Sequence, residues 1–319
     1  MGDLFEEKSI KSMLIGTEGD AFDSPDYLYE LKLDGERCIA YLDTGKTDLR
    51  NKRNMKMLSK VPELSQIHQQ VNTRCILDGE LAIIHNGKPD FNLIQRRSMM
   101  TDPLKIHLDA QLHPACFTAF DILYDKDHPV TDLPLIERKK LLQSVVQTES
   151  AYFAISRTVE NHGVAFYQLA KDQNLEGIVA KRKDSKYYFD KRTKDWIKCK
   201  YLQDDDYVVC GYIPKANGMT SLVLGQYRGL DLVYKGHVTL GVSGDAYRKI
   251  QTARRIQNPN MAVPKEDTHT VWIEPKLVCT VKYMSNNASG SLRQPVFKGL
   301  REDKRPEECL ERPDGKDGE

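Results

Sequence analysis

The sequence predicts an α+β protein of two domains. Strand-like and helix-like runs take turns through residue 203, strand-like runs dominate after it, and 319 residues are enough for two separate cores. In the first part, residues 27–43 and 75–85 (CILDGELAIIH) have the short apolar alternation of strands, and FTAFDILYD from 117 is apolar almost throughout, as a buried strand is. PELSQIHQQV from 62, PLIERKKLLQSVV from 134 and VAFYQLAKDQN from 164 space their apolar residues as helices do, and LEGIVAKR from 175 returns to strand. After the acidic run at 204–206 come DYVVCGYIP, SLVLGQYRG, LDLVYKGHVTLGV and HTVWIEPKLVCTVKYMS, broken by one helical segment, DAYRKIQTARRIQ. Strands around a single helix fit a small barrel of the OB type. The expected domains are 1–203 and 204–312, with a frayed tail at 313–319.

Composition narrows the function. No apolar run approaches the roughly 18 residues that cross a bilayer, and the opening MGDLFEEKSIKSML has no signal-peptide pattern, so a cytoplasmic protein with no membrane partner is expected. Seven cysteines, at 38, 75, 116, 199, 210, 279 and 309, stand singly with no CxxC pair, which argues against a zinc ribbon and a disulfide framework. A net charge of +1 means that any anion site must be a local patch. Two patches stand out. Residues 181–200, KRKDSKYYFDKRTKDWIKCK, hold nine Lys or Arg against three Asp, and RNKRNMKMLSK spans 50–60. In the first, aromatic residues are interleaved, and Lys198 and Lys200 alternate with Ile197 and Cys199. That places two ammonium groups on one face of a strand, an arrangement that calls for an anion.

The stretch YELKLDGERCIA at 29–40 puts Lys32 just before Asp34-Gly35. A charged hairpin is the plain reading, since Asp-Gly is a common turn and lysine guards strand edges. The chemical reading is a reactive amine. A lysine with a pKa near ~10.4 is protonated at neutral pH and becomes a nucleophile only when desolvated or crowded by cations. Arg37, Lys198 and Lys200 are candidates for that crowding, and the same cations would neutralise phosphates. Glu80 in LDGEL and Glu176 in LEGIV are isolated acids in apolar strands, either structural partners of a lysine or ligands of a divalent ion. DTGKT at 43–47 resembles the end of a phosphate-binding loop, but Ala40 stands where its first glycine is required, so it is read as a hairpin turn.

In order along the chain, KLDGER at 32, Arg53 in NKRN, LDGE at 77, FTAFD at 117, EGIVAKR at 176, WIKCK at 196 and REDK at 301 resemble the successive motifs of covalent nucleotidyltransferases. Within that superfamily the chain is most similar to ATP-dependent DNA ligases. FNLIQRR at 91 and LRQPVFKGLREDKRPEEC at 292 bring it closest to the small bacterial and phage type and to the ligase modules of bacterial end-joining proteins. The resemblance implies a nucleotidyltransferase (adenylation) domain of antiparallel sheets and helices followed by the OB-fold barrel. It implies that Lys32 attacks ATP and holds AMP, with Lys198 and Lys200 on the α-phosphate. Glu30 would read the adenine, and Phe120 would stack on it, with Ile178 or Val179 on the other face. Arg37 and Glu80 would lie on the ribose side, Arg53 on the phosphates or the DNA backbone, and Lys181 on a phosphate or the duplex. Glu176 and Glu80 would hold Mg²⁺ (or Mn²⁺), while Trp196 would pack.

Arg301, Asp303 and Lys304, on the barrel, would meet the pyrophosphate in the first step only, which makes the acidic run at 204–206 an expected hinge. The implied activity is sealing of nicks in duplex DNA by a monomer; an RNA ligase or a GTP-dependent RNA-capping enzyme is the alternative. About 30 residues precede Lys32, so no extra amino-terminal DNA-binding domain is expected, and the basic segment 181–194 would help to grip the duplex.

Overall fold

Lys32 directly follows a strand of one sheet and Arg37 lies in a strand of another, and that separation organises the first half of the molecule. A computed structural model describes residues 3–215, 219–257, 261–263, 269–284, 286 and 290–311. It divides into two compact units, with the boundary between Tyr201 and Leu202.

The strands of the first unit are Leu14–Glu18 (β1), Tyr27–Leu31 (β2), Glu36–Asp43 (β3), Lys46–Asn51 (β4), Cys75–His85 (β5), Lys88–Pro89 (β6), Ala115–Asp125 (β7), His128–Pro129 (β8), Phe153–Ile155 (β9), Thr158–Glu160 (β10), Gly177–Arg182 (β11) and Arg192–Lys200 (β12). Its helices are Leu4–Glu7 (α1), Phe91–Met99 (α2), Pro103–Leu112 (α3), Leu135–Val145 (α4) and Gly163–Asp172 (α5). One sheet has the order β1-β12-β11-β2-β10; the other runs β4-β3-β5-β7-β8, with β6 on β5 and β9 on β7.

Alternation along the strands builds the layers. In β3, Cys38, Ala40 and Leu42 join Leu77, Leu81 and Phe117 in a core that also takes Ile94 of α2 and Leu142 of α4. Ile39 and Tyr41 point the other way, into a second core shared with Val179 and Trp196 from the first sheet and Tyr187 from the segment between β11 and β12. The far face of the first sheet carries Tyr29, Ile178, Ala180 and Cys199 against Ala170, Phe166 and Tyr167 of α5. Strands buried on both faces explain why β5 and β7 read as nearly continuous apolar runs.

The sheets are also tied by charge. Arg138 and Asp121, both fully buried, form two parallel bonds of 2.8 and 2.9 Å, and Arg138 donates to the carbonyl oxygen of Ser185 at 2.9 Å. The next residue of α4, Lys139, reaches Glu30 on β2 at 2.5 Å. Adjacent helical residues point about 100° apart, so one helix contacts β7 of one sheet and β2 of the other.

The second unit has strands Gln203–Pro214 (β13), Thr220–Arg228 (β14), Asp231–Val238 (β15), Val271–Tyr283 (β16) and Val296–Arg301 (β17), with helix Gly244–Gln251 (α6) between β15 and β16. The order is β15-β14-β13-β16-β17, and a parallel bridge from Leu240 to Val296 closes the ring. This is the expected OB-type barrel, filled by Tyr207, Leu222, Leu224, Val281 and Phe297 and plugged by Ile250 of α6.

Several expectations change. PELSQIHQQV forms two 3₁₀ turns, Pro62–Leu64 and Ile67–Gln70, because His68 is drawn onto Thr47, with Oγ1 and Nδ1 3.0 Å apart. α3 was missed, since its leucines at 104, 108 and 112 face outward and are exposed. The acidic run is no hinge: Asp204, Asp205 and Asp206 lie inside β13, paired with Lys282, Val281 and Thr280. All seven cysteines are free thiols, six of them buried. The tail at 313–319 lies outside the described residues. Among the described residues no helix is long and apolar enough to cross a membrane.

Removing one partner of a buried ion pair leaves the other charge uncompensated, at a cost of about 3–5 kcal/mol. Arg138→Met is therefore expected to lower unfolding stability by that order in urea titrations of the whole chain. A loss under about 1 kcal/mol would show that the pair is not a structural tie.

Candidate active site

β2 and β3 are not paired with each other, so Asp34-Gly35 is not a hairpin turn. The segment 32–35 instead carries the chain from one sheet to the other, which overturns the hairpin reading of the opening motif. Lys32 continues the ladder of β2, its backbone N–H donating to the carbonyl oxygen of Gly177 at 2.9 Å. Close approach dictates the two glycines here: a Cβ on Gly35 would lie 2.2 Å from the Leu81 oxygen, and one on Gly177, where φ is +127°, 2.1 Å from the Cys199 oxygen.

The crossing opens a cleft of about 70 Å³ between the sheets. The first sheet contributes Glu30, Lys32, Val179, Lys181 and Trp196; the second contributes Arg37, Glu80 and Phe120. Strand alternation corrects one expectation: Val179 and Lys181 face the cleft, whereas Ile178, wholly buried, packs beneath α5 and does not line it. Trp196, expected only to pack, is a wall of the cleft. Its ring stands edge-on to that of Phe120, with centroids 6.2 Å apart, and the Lys181 ammonium lies 4.4 Å from the Trp196 ring and 4.2 Å from Phe120.

The charges are arranged in pairs. Lys32 Nζ lies 2.7 Å from Glu176 Oε1, so the amine's nearest charged neighbour is a carboxylate rather than the expected crowd of cations. Burial pushes the Glu176 carboxyl up despite Lys32. Lys198 pairs with Glu18 at 3.1 Å. Burial, and then Lys198, push the Lys200 amine below its ordinary range. Arg37 is held by Asp78 through two 2.5 Å bonds; Asp78, wholly buried, also accepts from the Tyr187 hydroxyl at 2.6 Å. The Arg37 guanidinium in turn stacks 4.4 Å from the Phe120 centroid. At the buried end, Glu30 is shared by Lys139 at 2.5 Å and Lys181 at 3.1 Å.

Arg53 does not line this cleft. It lies in a neighbouring cavity of about 460 Å³, with Lys52 and Lys60 around Met55, Phe91 and Met99, and Arg37 lines both spaces. Arg301, Asp303 and Lys304 form their own network on the barrel. Arg301 pairs with Asp303 at 2.7 Å, and Lys304 reaches Asp206 at 2.7 Å, with Arg301 3.5 Å from the same carboxylate.

Sequence reasoning missed Asp78, Tyr187, Glu18 and Lys139. Asp78 stands in the same LDGE as Glu80. Lys139 had a signal as well, because Arg138 and Lys139 fall between Leu135 and Leu142 on the buried face of a helical pattern.

Among the described residues, no set of three or more ligating side chains comes together. Glu80 and Glu176 are nevertheless mutually repelling carboxylates beside Lys32, and burial drives Glu80 up to about 8 against the pull of Arg37 and Lys32. Magnesium is commonly held by one or two carboxylates, with substrate phosphates and water completing the shell. This donor set fits such an ion.

The Glu80 shift has a sign. Between its ordinary 4.5 and about 8, the folded protein holds a proton that the unfolded chain has released, so this contribution to stability falls as pH rises through that window and stays low above it. Urea titrations at several pH values, with a chelator present, should show Glu80→Gln gaining on the parent between pH 5 and 8. Parallel pH profiles would contradict this assignment.

The profile described as ATP dependent DNA ligase domain matches residues 9–200, and that described as ATP dependent DNA ligase C terminal region matches residues 215–304. The SPbeta prophage-derived DNA ligase-like protein LigB of Bacillus subtilis is 29% identical over 294 residues, which cover 92% of this chain and 99% of that protein. The multifunctional non-homologous end joining protein LigD of Pseudomonas aeruginosa is 29% identical over 306 residues, covering 91% of this chain but 35% of that protein. Among solved structures, a mycobacterial DNA ligase D complexed with ATP and MES superposes with a TM-score of 0.56 at 24% identity, over 96% of this chain and 99% of that one, a likeness that concerns the fold. The first unit is thus a nucleotidyltransferase fold and the second its OB-fold companion, and the chain belongs to the ATP-dependent DNA ligases.

Proposed function

We propose that this chain seals nicks in duplex DNA by carrying AMP on Lys32. The observation that carries the reading is the position of that amine, just past the end of β2 at the crossing between two sheets and 2.7 Å from Glu176, in the sheet where β12, one strand beyond β11, sets Lys198 in the same row as Val179 and Glu30 and carries Lys200 two residues on. Lys32 exchanges its carboxylate partner for the α-phosphate of ATP. Nζ loses a proton and bonds to phosphorus, the bond to the β-phosphate oxygen breaks, and pyrophosphate leaves. An oxygen of the 5′-phosphate at the nick then attacks the same phosphorus, and the N–P bond breaks. Finally the 3′-hydroxyl attacks the 5′-phosphorus of the DNA, and AMP departs.

The residues divide the work by chemistry. Lys198 and Lys200 offset charge on the α-phosphate. Phe120 and Val179 flank the base, Glu30 reads its edge, and Arg37, fixed by Asp78, meets the ribose side. Lys181 is tied to Glu30 and the rings, so it serves the base rather than a phosphate. A divalent ion held by Glu80 and Glu176, Mg²⁺ or Mn²⁺, would neutralise phosphate charge. Arg53, in the adjoining basic cavity, is assigned to the DNA backbone. Contacts of this kind give a binding that tolerates any sequence and weakens as salt rises. The cations of the 181–194 segment, such as Lys183 with Glu160 and Lys186 with Asp132, sit in exposed pairs that hold weakly and can be traded for phosphate. Arg301, Asp303 and Lys304 act on the leaving pyrophosphate. The adenylation domain ends near Tyr201, and the protein works as a cytoplasmic monomer.

The experiment is adduct formation with α-labelled nucleotide. Label from ATP and not GTP, lost in Lys32→Ala, is the expected result; transfer from GTP, or a persistent adduct in Lys32→Ala, would favour a capping enzyme or another nucleophile. In the same assay Arg301→Ala with Lys304→Ala should slow adduct formation by about 10² or more while sparing the sealing of a nick already carrying AMP. Equal loss in both would remove the pyrophosphate role.

A further inference from the structure

Lys139 lies outside every motif that marks the nucleotide cleft, yet it makes the shortest contact with the residue at the cleft's buried end. Its side chain is 7% exposed, that of Glu30 2% and that of Lys181 4%, while Lys32, two residues on and just past the end of the strand, is 22% exposed. The cleft therefore runs from a closed end at Glu30 to an open end at Lys32. One oxygen of Glu30 has both cations as ion-pair neighbours, Lys139 at 2.5 Å and Lys181 at 3.1 Å, without hydrogen-bond alignment to either, and Ser156 also acts on this carboxyl.

Two lysines on one carboxylate exceed what charge balance requires, and burying a second ammonium is costly. Lys181 has other engagements: it lies 4.2 Å from the Phe120 ring and 4.4 Å from Trp196, and burial lowers its amine to about 8. Lys139 touches neither ring. It comes from α4, which Arg138 bolts to the opposite sheet, so it approaches Glu30 from a fixed support. Burial alone would push the Glu30 carboxyl up; Lys139 and then Lys181 outweigh it and hold Glu30 ionised.

We propose that Lys139 is a positioning residue for nucleobase selection: it fixes Glu30 as a carboxylate, an acceptor with no proton to give, so that the cleft takes a purine bearing a 6-amino donor and rejects one bearing a 6-oxo acceptor. This rests on the ligase reading, which places the base beside Glu30. An amino group donates to the carboxylate, whereas a carbonyl oxygen in its place meets lone pairs. Without Lys139, Glu30 keeps Lys181 and Ser156 but loses the nearer of its two cations, and its preference for the amino group fades.

The test compares ATP with purine riboside triphosphate, which lacks the 6-amino group, in calorimetric binding and in adduct formation by the whole chain. The parent should prefer ATP by about tenfold or more, the worth of a hydrogen bond to a charged group. Lys139→Met should reduce that ratio to within about threefold and raise KM for ATP, while kcat for adduct formation at saturating ATP stays within about threefold. Lys139→Arg should restore the ratio. A ratio unchanged in Lys139→Met overturns the proposal, whatever the absolute affinities. If Lys139→Met does not fold, the same ratio is read in Lys139→Gln, and failure of both to fold assigns Lys139 to stability alone and also overturns it. A parent that binds ATP but never forms an adduct would instead sink the ligase reading, and the binding ratio would still judge Lys139.

Discussion

Two adjacent basic residues of one helix reach the two sheets of the first unit, and the fully buried pair of Arg138 with Asp121 anchors that helix. Arg138 grips Asp121 on β7 through two parallel bonds and fixes α4, and the next residue, Lys139, lies beside Glu30 on β2, so α4 spans both walls of the cleft. Apolar packing between the sheets supplies the bulk of the cohesion, but it is non-directional. Buried ion pairs with fixed geometry specify one arrangement at a cost in desolvation. The crossing segment at Lys32 can therefore be short and tight, with glycines where the backbones nearly touch.

From that frame follows the electrostatic character of the cleft. Each cation that lines it is matched to a carboxylate of the protein: Lys32 to Glu176, Arg37 to Asp78, Lys181 to Glu30. The pairs differ in what can disturb them. Arg37 with Asp78 is locked by a third group, Tyr187, and is part of the scaffold. Lys32 with Glu176 has the opposite character, because burial raises the carboxyl and so weakens its hold on a charged partner. An anion would compete with Glu176 for the amine far more easily than it could displace Asp78 from Arg37.

The fold was legible where periodicity carried it. β5, β7, β12 and the helix at α4 follow from apolar spacing, and the one-helix barrel follows from the run of strands after residue 203. The misses have physical causes. α3 turns its leucines outward, so its pattern does not mark a buried face, and the 3₁₀ turns at 62–70 answer to a long-range contact between His68 and Thr47. The acidic run at 204–206 looked like a linker because charge suggests solvent, yet in the barrel Asp206 is nearly buried and serves Lys304. At the site, Lys32, Glu30, Glu80, Phe120 and Lys181 could be named from their motifs. The choice between Ile178 and Val179 needed the strand's facing, and Lys139 needed the third dimension, because nothing local ties a helix at 139 to a strand at 30.

The account stands on one covalent bond, from the nitrogen of Lys32 to the phosphorus of AMP. Peptide mapping by mass spectrometry, after the protein has met ATP and a divalent ion, tests it most directly. The modified peptide should be the one spanning the β2–β3 crossing, with the adduct on Lys32 and its disappearance when nicked duplex is added. AMP on any other residue, or an adduct that nicked DNA leaves untouched, would contradict the account.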